Sequence, residues 1–282
     1  MSTRTTALGA FLRARRALLR PEDVGFPRDL ARRVEGLRRE EVAHLAGISL
    51  EYYVRLEQGR NHQLSEQVLS SLARALRLDE DATTYFYRLA LPSPISLIGA
   101  AIRKPVSPII RALVRQWSGT PAYVFDRNQD VLFANDLATA LSPGYVVPGN
   151  NLVSSLFSAS AEGRSNLLWR ETARASVAAL RFQGDPSDPR LQEIVGALSM
   201  QDSDFRQLWA RHEASPLSGG TTPNHVEGFG RVNVRWQVLD VPEGNFMNVS
   251  VADAGSPAAA AIDFLARGLR ENDVETAGQL VS

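Results

Sequence analysis

The chain is 282 residues long, carries 31 basic and 31 acidic side chains and contains no cysteine. That length suits two domains, each with its own core, rather than one small module. The missing thiol excludes disulfides, thiolate catalysis and sulfur-ligated metals; with no apolar run of about 18 residues and no leader-like N-terminus, the expected compartment is the cytoplasm, with no membrane partner.

Zero net charge argues against nucleic acid only until the two halves are separated. Residues 1–118 hold 19 basic against 12 acidic side chains, and residues 119–282 hold 12 against 19. A basic front half is the electrostatic footprint of a DNA-binding part, whereas an acidic rear half repels phosphate.

The front half reads as helices. Thr6 to Leu19 puts Leu8, Phe11, Leu12 and Leu18 near helical spacing. A long connection, Arg20 to Glu35, must loop out or add contacts. Then comes GLRREEVAHLAGISLEYYVRLEQGR, Gly36 to Arg60. A helix from about Arg38 buries Val42, Ala43, Leu45 and Ala46. Glu40 and Glu41 in its first turn suit the helix dipole, and Gly47 ends it where a left-handed residue is needed. The next helix has Ser49 as N-cap, buries Tyr53 and Leu56, and stops at Gly59. Two short helices around a tight Gly-containing turn make a helix-turn-helix, whose second helix enters the DNA major groove. SEQVLSSLARALRL, capped by Ser65, and DEDATTYFYRLALP, ending before Pro92, add two more helices. The expected organisation is an all-α five-helix domain over 1–91 and a Pro-rich linker over 92–108.

These five helices resemble the DNA-binding domain of phage-repressor and Cro-like regulators. VAHLAGISLEYYVRLEQGR departs from the LAxxxGxSxxxxxxLExGR pattern of that family only at Val42, where Leu is usual. The resemblance places Ser49, Leu50, Glu51, Tyr52 and Arg55 where such domains face bases and phosphates, and it implies a bridge from Glu57 to Arg16. Arg55 has the reach for a bidentate pair with guanine O6 and N7, worth about 1–3 kcal/mol of base discrimination. Glu51 either accepts from cytosine N4 or pairs with Arg55 one turn away. Arg38 and Arg39, at the start of the preceding helix, and Arg60 and Asn61, just past the recognition helix, are phosphate candidates.

The rear half changes character. Ile109 to Trp117 reads as a short helix. Ala122 to Asp126 and Val131 to Ala134 are β-rich runs around a polar RNQD turn, a hairpin signature, and Asn135 and Asp136 offer an N-cap for LATAL. Helices are expected at Leu152 to Phe157, Arg164 to Phe182, Pro189 to Met200 and across DSDFRQLWARHEAS, then a loop from Pro216 to Pro223. GRVNVRWQVLDVP and NFMNVSVADAG alternate as half-buried strands, with Val232, Val234, Trp236 and Val238 on one side. A helix from Pro257 to Leu269 precedes a polar tail, 271–282. The order ββ, helices, ββ predicts an α+β, PAS-like domain over 109–270, with an antiparallel sheet, helices on one face and an apolar pocket between them.

GLRREEVAHLAGISLEYYVRLEQGR, TPAYVFDRNQDVLFAND, DPRLQEIVGALSMQDSDFRQLWARHE and VADAGSPAAAAIDFLA together resemble the MmyB-like transcription regulators. RPEDVG is similar to the first connection of that family. The resemblance implies a repressor-like helix-turn-helix joined to a PAS-like domain that binds fatty-acid-like molecules. One departure stands out: relatives carry a His-Pro pair before the third strand, where this chain has His225-Val226 after Pro223.

Candidate ligand contacts are Tyr123, Phe125, Phe133, Trp236 and Met247 on the strands, with Trp209, Arg211 and His212 in WARHE; the default role of each of these aromatics is a place in the core. On a helix Trp209 and Arg211 diverge by about 200° and cannot line one wall. His44, His62, His212 and His225 show no metal-ligand pairing, and no nucleophile elbow, phosphate loop or dinucleotide fingerprint is present. No metal, cofactor or catalytic residue is therefore assigned. The expected protein is a DNA-binding regulator, not an enzyme. Its partners are double-stranded DNA, a small apolar or fatty-acid-like ligand and a second copy in a homodimer. The alternative is a rear domain with a filled core that serves dimerisation or protein interaction.

Overall fold

Local capping explains where the first helices begin. In the computed structural model, which describes residues 3–27, 32, 34–60, 64–91 and 105–279 apart from the side chains of 3–5, 162 and 272–279, the helices are α1 (Thr3–Leu18), α2 (Arg39–Ala46), α3 (Leu50–Glu57), α4 (Glu66–Ala75) and α5 (Glu80–Ala90). Ser49, Ser65 and Asp79 cap α3, α4 and α5 by accepting from the backbone N–H of Tyr52, Val68 and Ala82 at 3.1, 3.3 and 2.8 Å. Such caps satisfy N–H groups that a helix leaves without partners. Gly47 closes α2 with φ +66°, as its place in the turn requires.

The apolar faces meet in a core that includes Phe11, Leu12, Tyr53, Leu56, Leu69, Leu72 and Phe86. Leu18, the last residue of α1, is 52% exposed, and Leu45 packs half-buried against this core. The long first connection adds contacts. A 3-10 turn, Pro21–Val24, follows α1, and Arg32 reaches Glu41 through paired bonds of 2.5 and 2.9 Å.

The second part continues with α6 (Pro108–Gln116), β1 (Ala122–Phe125), β2 (Val131–Ala134), α7 (Asp136–Leu141), α8 (Leu152–Phe157), α9 (Ala161–Arg164), α10 (Leu167–Gln183), α11 (Pro189–Gln201) and α12 (Ser203–Ala210). It closes with β3 (Gly219–Val226), β4 (Gly230–Val241), β5 (Asn245–Val251) and α13 (Pro257–Gln279). The sheet is antiparallel with order β2-β1-β5-β4-β3. Val124 pairs with Phe133 and Met247, while Tyr123 pairs with Asn248. Alternation therefore sends Val124, Phe133 and Met247 to one face and Tyr123 and Asn248 to the other.

Five readings change. The stretch expected as a loop contains β3, an edge strand where Pro223 breaks no interior ladder. The single helix expected from Arg164 to Phe182 is two, α9 and α10. WARHE is helical only to Ala210, because His212 takes φ +51°. The last helix runs through Gln279, so most of the expected tail is helical. Helix α6 contributes Val114 to a cluster with Val124, Phe133 and Met247, so helices do not gather on one sheet face alone.

The chain divides into two compact units, Met1–Ile102 with Val177–Pro216 and Arg103–Ser176 with Leu217–Ser282. The segment 177–216, expected inside the rear domain, thus groups with the helical bundle. Ala214 joins the bundle core, and the Arg88 guanidinium lies 5.0 Å from the Phe182 ring centroid.

In the bundle, α1 crosses the end of α3 so closely that a Cβ on Gly9 would sit 2.4 Å from the Glu57 carbonyl oxygen. Gly9→Ala should destabilise the fold by about 2–3 kcal/mol, measured by urea unfolding. An unchanged midpoint would refute the tight crossing.

Candidate functional site

Helix α3 divides cleanly between inside and outside. Tyr53 and Leu56 are fully buried, whereas Ser49, Leu50, Glu51 and Arg55 lie on the surface, with Leu50 46% exposed. Arg55 and Glu51 pair across one turn at 3.1 Å, with side chains 61% and 79% exposed. An exposed pair of this kind contributes little stability, so both groups can exchange partners at small cost. Tyr52 is half-buried at the edge of the same surface, and Arg60 is exposed just past the helix. Asn61 lies outside the described residues.

Behind this surface sits a buried carboxylate. Glu57 is 1% exposed and receives the Arg16 Nε at 2.6 Å and the Arg39 Nε at 2.6 Å. Arg16 also donates to the Leu37 carbonyl at 2.8 Å, and Arg13 to the Glu57 carbonyl at 3.1 Å. One carboxylate thus ties α1 and α2 to the end of α3. Burial pushes the Glu57 carboxyl up, but the hydrogen bonds and charges of Arg16 and Arg39 outweigh it and hold the pKa below the usual value. Arg39, expected on phosphate, spends its Nε here while its side chain remains half-exposed. Arg38 stands as N-cap of α2, its backbone N–H held by Glu41 at 2.6 Å and its guanidinium 3.6 Å from Glu40.

The second unit holds a cavity of about 420 Å³ between the sheet and α7, α8 and α10. Apolar groups dominate, among them Leu141, Leu156, Leu217 and Val234, with Tyr123 and Trp236 from the strands. The Trp236 indole N–H is fixed on the Thr222 hydroxyl at 2.8 Å. A few polar groups look inward. The Tyr123 and Tyr145 phenols are raised by burial and stay neutral. The Asn248 side chain lines the cavity, is 4% exposed and has no protein hydrogen-bond partner among the described residues. Besides these neutral groups, the lining includes His225 and Arg231, both exposed. Apolar walls with a few polar groups suit an amphiphile whose apolar body fills the space.

The other expected contacts lie elsewhere. Phe125 stacks on Phe246 at 5.6 Å. Phe133 and Met247 face the opposite side of the sheet, where Arg111 and Arg115 each lie 5.4 Å from the Phe133 ring centroid. Trp209 and His212 line a separate cavity in the first unit. Arg211 is half-exposed and pairs with Glu213 at 3.1 Å.

Comparison with known families gives two matches. Residues 7–85 match a helix-turn-helix domain family, and residues 106–265 match the MmyB-like transcription regulator ligand binding domain. The chain belongs to the MmyB-like transcription regulators. Among curated proteins, none matches it. No helix among the described residues is long and apolar enough to cross a membrane.

In this MmyB-like regulator most cavity residues escaped the sequence reading, Gln129, Tyr145 and Asn248 among them. Gln129, at φ +63° in a turn expected to be merely polar, is 1% exposed, donates to the Ser176 carbonyl at 2.8 Å and lines the cavity. Tyr145 carries no local pattern; for Asn248 the signal was its place in the strand alternation, two residues beyond Phe246.

The Glu57 clamp has a pH signature. Its folded pKa is depressed, so its contribution is complete above the ordinary carboxylate range and is lost as pH falls through the lowered folded value. Glu57→Gln should cost about 3–5 kcal/mol at neutral pH and flatten the acid limb of the stability–pH curve. Chemical denaturation at a series of pH values checks both; an acid limb as steep as in the unsubstituted chain would overturn the assignment.

Proposed function

We propose that this regulator reads DNA through the outer surface of α3 and that its second unit binds a small apolar or fatty-acid-like molecule in the sheet–helix cavity. The observation that carries the DNA reading is the exposed Glu51–Arg55 pair, set on a helix whose opposite side is locked into the bundle. Polar side chains of that reach, on a rigid helix, are what the major groove selects. Arg55 engages guanine and Glu51 a cytosine amino group, while Ser49, Leu50 and Tyr52 complete the contact surface. Arg38, Arg39, Arg60 and Asn61 flank it as phosphate contacts, with Arg39 shared between DNA and Glu57.

A single recognition helix buries too little surface for strong specificity, so the protein acts as a homodimer on two-fold related half-sites. The ligand changes DNA affinity only insofar as it binds two dimer geometries unequally. For the cavity, the supporting observation is an apolar enclosure of about 420 Å³ with the inward amide of Asn248.

Gel-shift titrations at several salt concentrations test the DNA reading. Arg55→Ala should relax base preference at one position of each half-site by about 1–3 kcal/mol. Arg60→Ala should weaken all sequences alike and reduce the salt slope by about 1. Affinity indifferent to salt would refute the placement. Native mass spectrometry should find an amphiphile on the purified chain, and Ser155→Trp, which fills the cavity from α8, should lower the number bound by one; an unchanged number would refute this site.

A further inference from the structure

The first unit contains a second cavity, of about 450 Å³, distinct from the one above. Ala7 and Ala10 of α1, Tyr85 of α5, and Leu191 and Val195 of α11 give it apolar walls. Its volume falls within the range of small-molecule sites, roughly 300–1,000 Å³. At one end lies a charge. Arg181, near the end of α10, lines the cavity and is 3% exposed.

The guanidinium of Arg181 lies 3.7 Å from the centroid of the Trp209 ring, which itself stacks on Phe205 at 5.8 Å. It donates to the Trp209 carbonyl at 2.5 Å and to the Glu213 carbonyl at 3.1 Å. Two of its five N–H groups are thereby engaged. Among the described residues no carboxylate lies within ion-pair distance of it; Glu213 acts on it only from farther away and is itself paired with Arg211 at 3.1 Å. Buried cations are ordinarily matched by an anion, because the cost of desolvation is otherwise met only in part. His212, the other ionisable group in the lining, adds no negative charge: burial, then the charges of Arg181 and Arg13, depress its pKa to about 3 and keep it neutral.

We propose that this cavity is a second ligand site, binding a small amphiphile whose carboxylate pairs with Arg181 and whose apolar body lies along Ala7, Ala10, Leu191 and Val195. The planar fork of Arg181 suits a carboxylate, which supplies an anion in direct contact. A cationic ligand is disfavoured by the same residue, and an uncharged one leaves the guanidinium without a directly paired anion. The site belongs to the DNA-binding unit and does not depend on the occupant of the sheet–helix cavity.

Decanoate, with decanol as its uncharged counterpart, tests this on the full chain freed of lipid. In protein with labelled methyl groups, decanoate should give intermolecular NOEs to Leu191 and Val195. Arg181→Met should weaken decanoate at these methyls at least tenfold and leave decanol unchanged. Val195→Trp, which fills the cavity and keeps the cation, should abolish both. Should Arg181→Met not fold, the NOEs in the unsubstituted chain and the Val195→Trp result decide alone. NOEs confined to Leu141, Leu156 and Leu217 would overturn the second site while supporting the sheet–helix cavity. NOEs confined to Leu191 and Val195 would do the reverse. Equal loss of decanoate and decanol on Arg181→Met would show that the cation plays no part and would refute the carboxylate assignment.

Discussion

The proposed DNA-binding surface depends on a single buried carboxylate. Glu57 closes α3, and the guanidinium groups of Arg16 and Arg39 converge on it from α1 and α2. A carboxylate this far from water is costly unless it is paired, and removal of any one partner leaves charge stranded. The arrangement therefore sets the direction in which Glu51 and Arg55 leave the bundle. It also assigns Arg39 two tasks, since its Nε holds Glu57 while its half-exposed end remains available to solvent.

Strand alternation does comparable work in the second unit. One face of the sheet carries Tyr123, Asn248 and Trp236 into the cavity, and the other carries Val124, Phe133 and Met247 into a packed cluster with α6. A one-residue change of register would exchange the two sets. The hydrogen-bonded clamp on Asn135 helps hold the hairpin and the helix that follows it. Its side-chain oxygen accepts from Ala122 and Ala138, and its amide donates to the carbonyls of Val114, Trp117 and Thr120. One amide thus joins the end of α6, the start of β1 and the N-terminus of α7.

Helices α11 and α12 fall within the matched ligand-binding family region yet pack as part of the first unit. Their contact with the bundle encloses Arg181 beside Trp209, and α1 forms part of the same wall. The helix that holds Glu57 at one site therefore borders a ligand-sized space at another. The two cavities differ in where they place a cation: Arg231 of the sheet–helix cavity is exposed, whereas Arg181 of the other is buried.

Sequence alone determined what depends on near neighbours. Caps at Ser49, Ser65 and Asn135, the left-handed turn at Gly47, helical period three to four and strand period two all arise within a few residues, and they identified the helix-turn-helix and four of the five strands. The fifth, β3, was hidden because Gly219, Gly220 and Pro223 suppress β propensity. Its place at the sheet edge tolerates the proline, and Gly220 leaves room for the Trp236 ring, which an added Cβ would meet at 2.6 Å. Tertiary structure alone decided which sheet face met the cavity, why Trp209 and His212 left the rear unit, and that Arg181 was buried without a carboxylate at ion-pair distance. Those outcomes depend on residues tens of positions apart, whose packing no local period encodes.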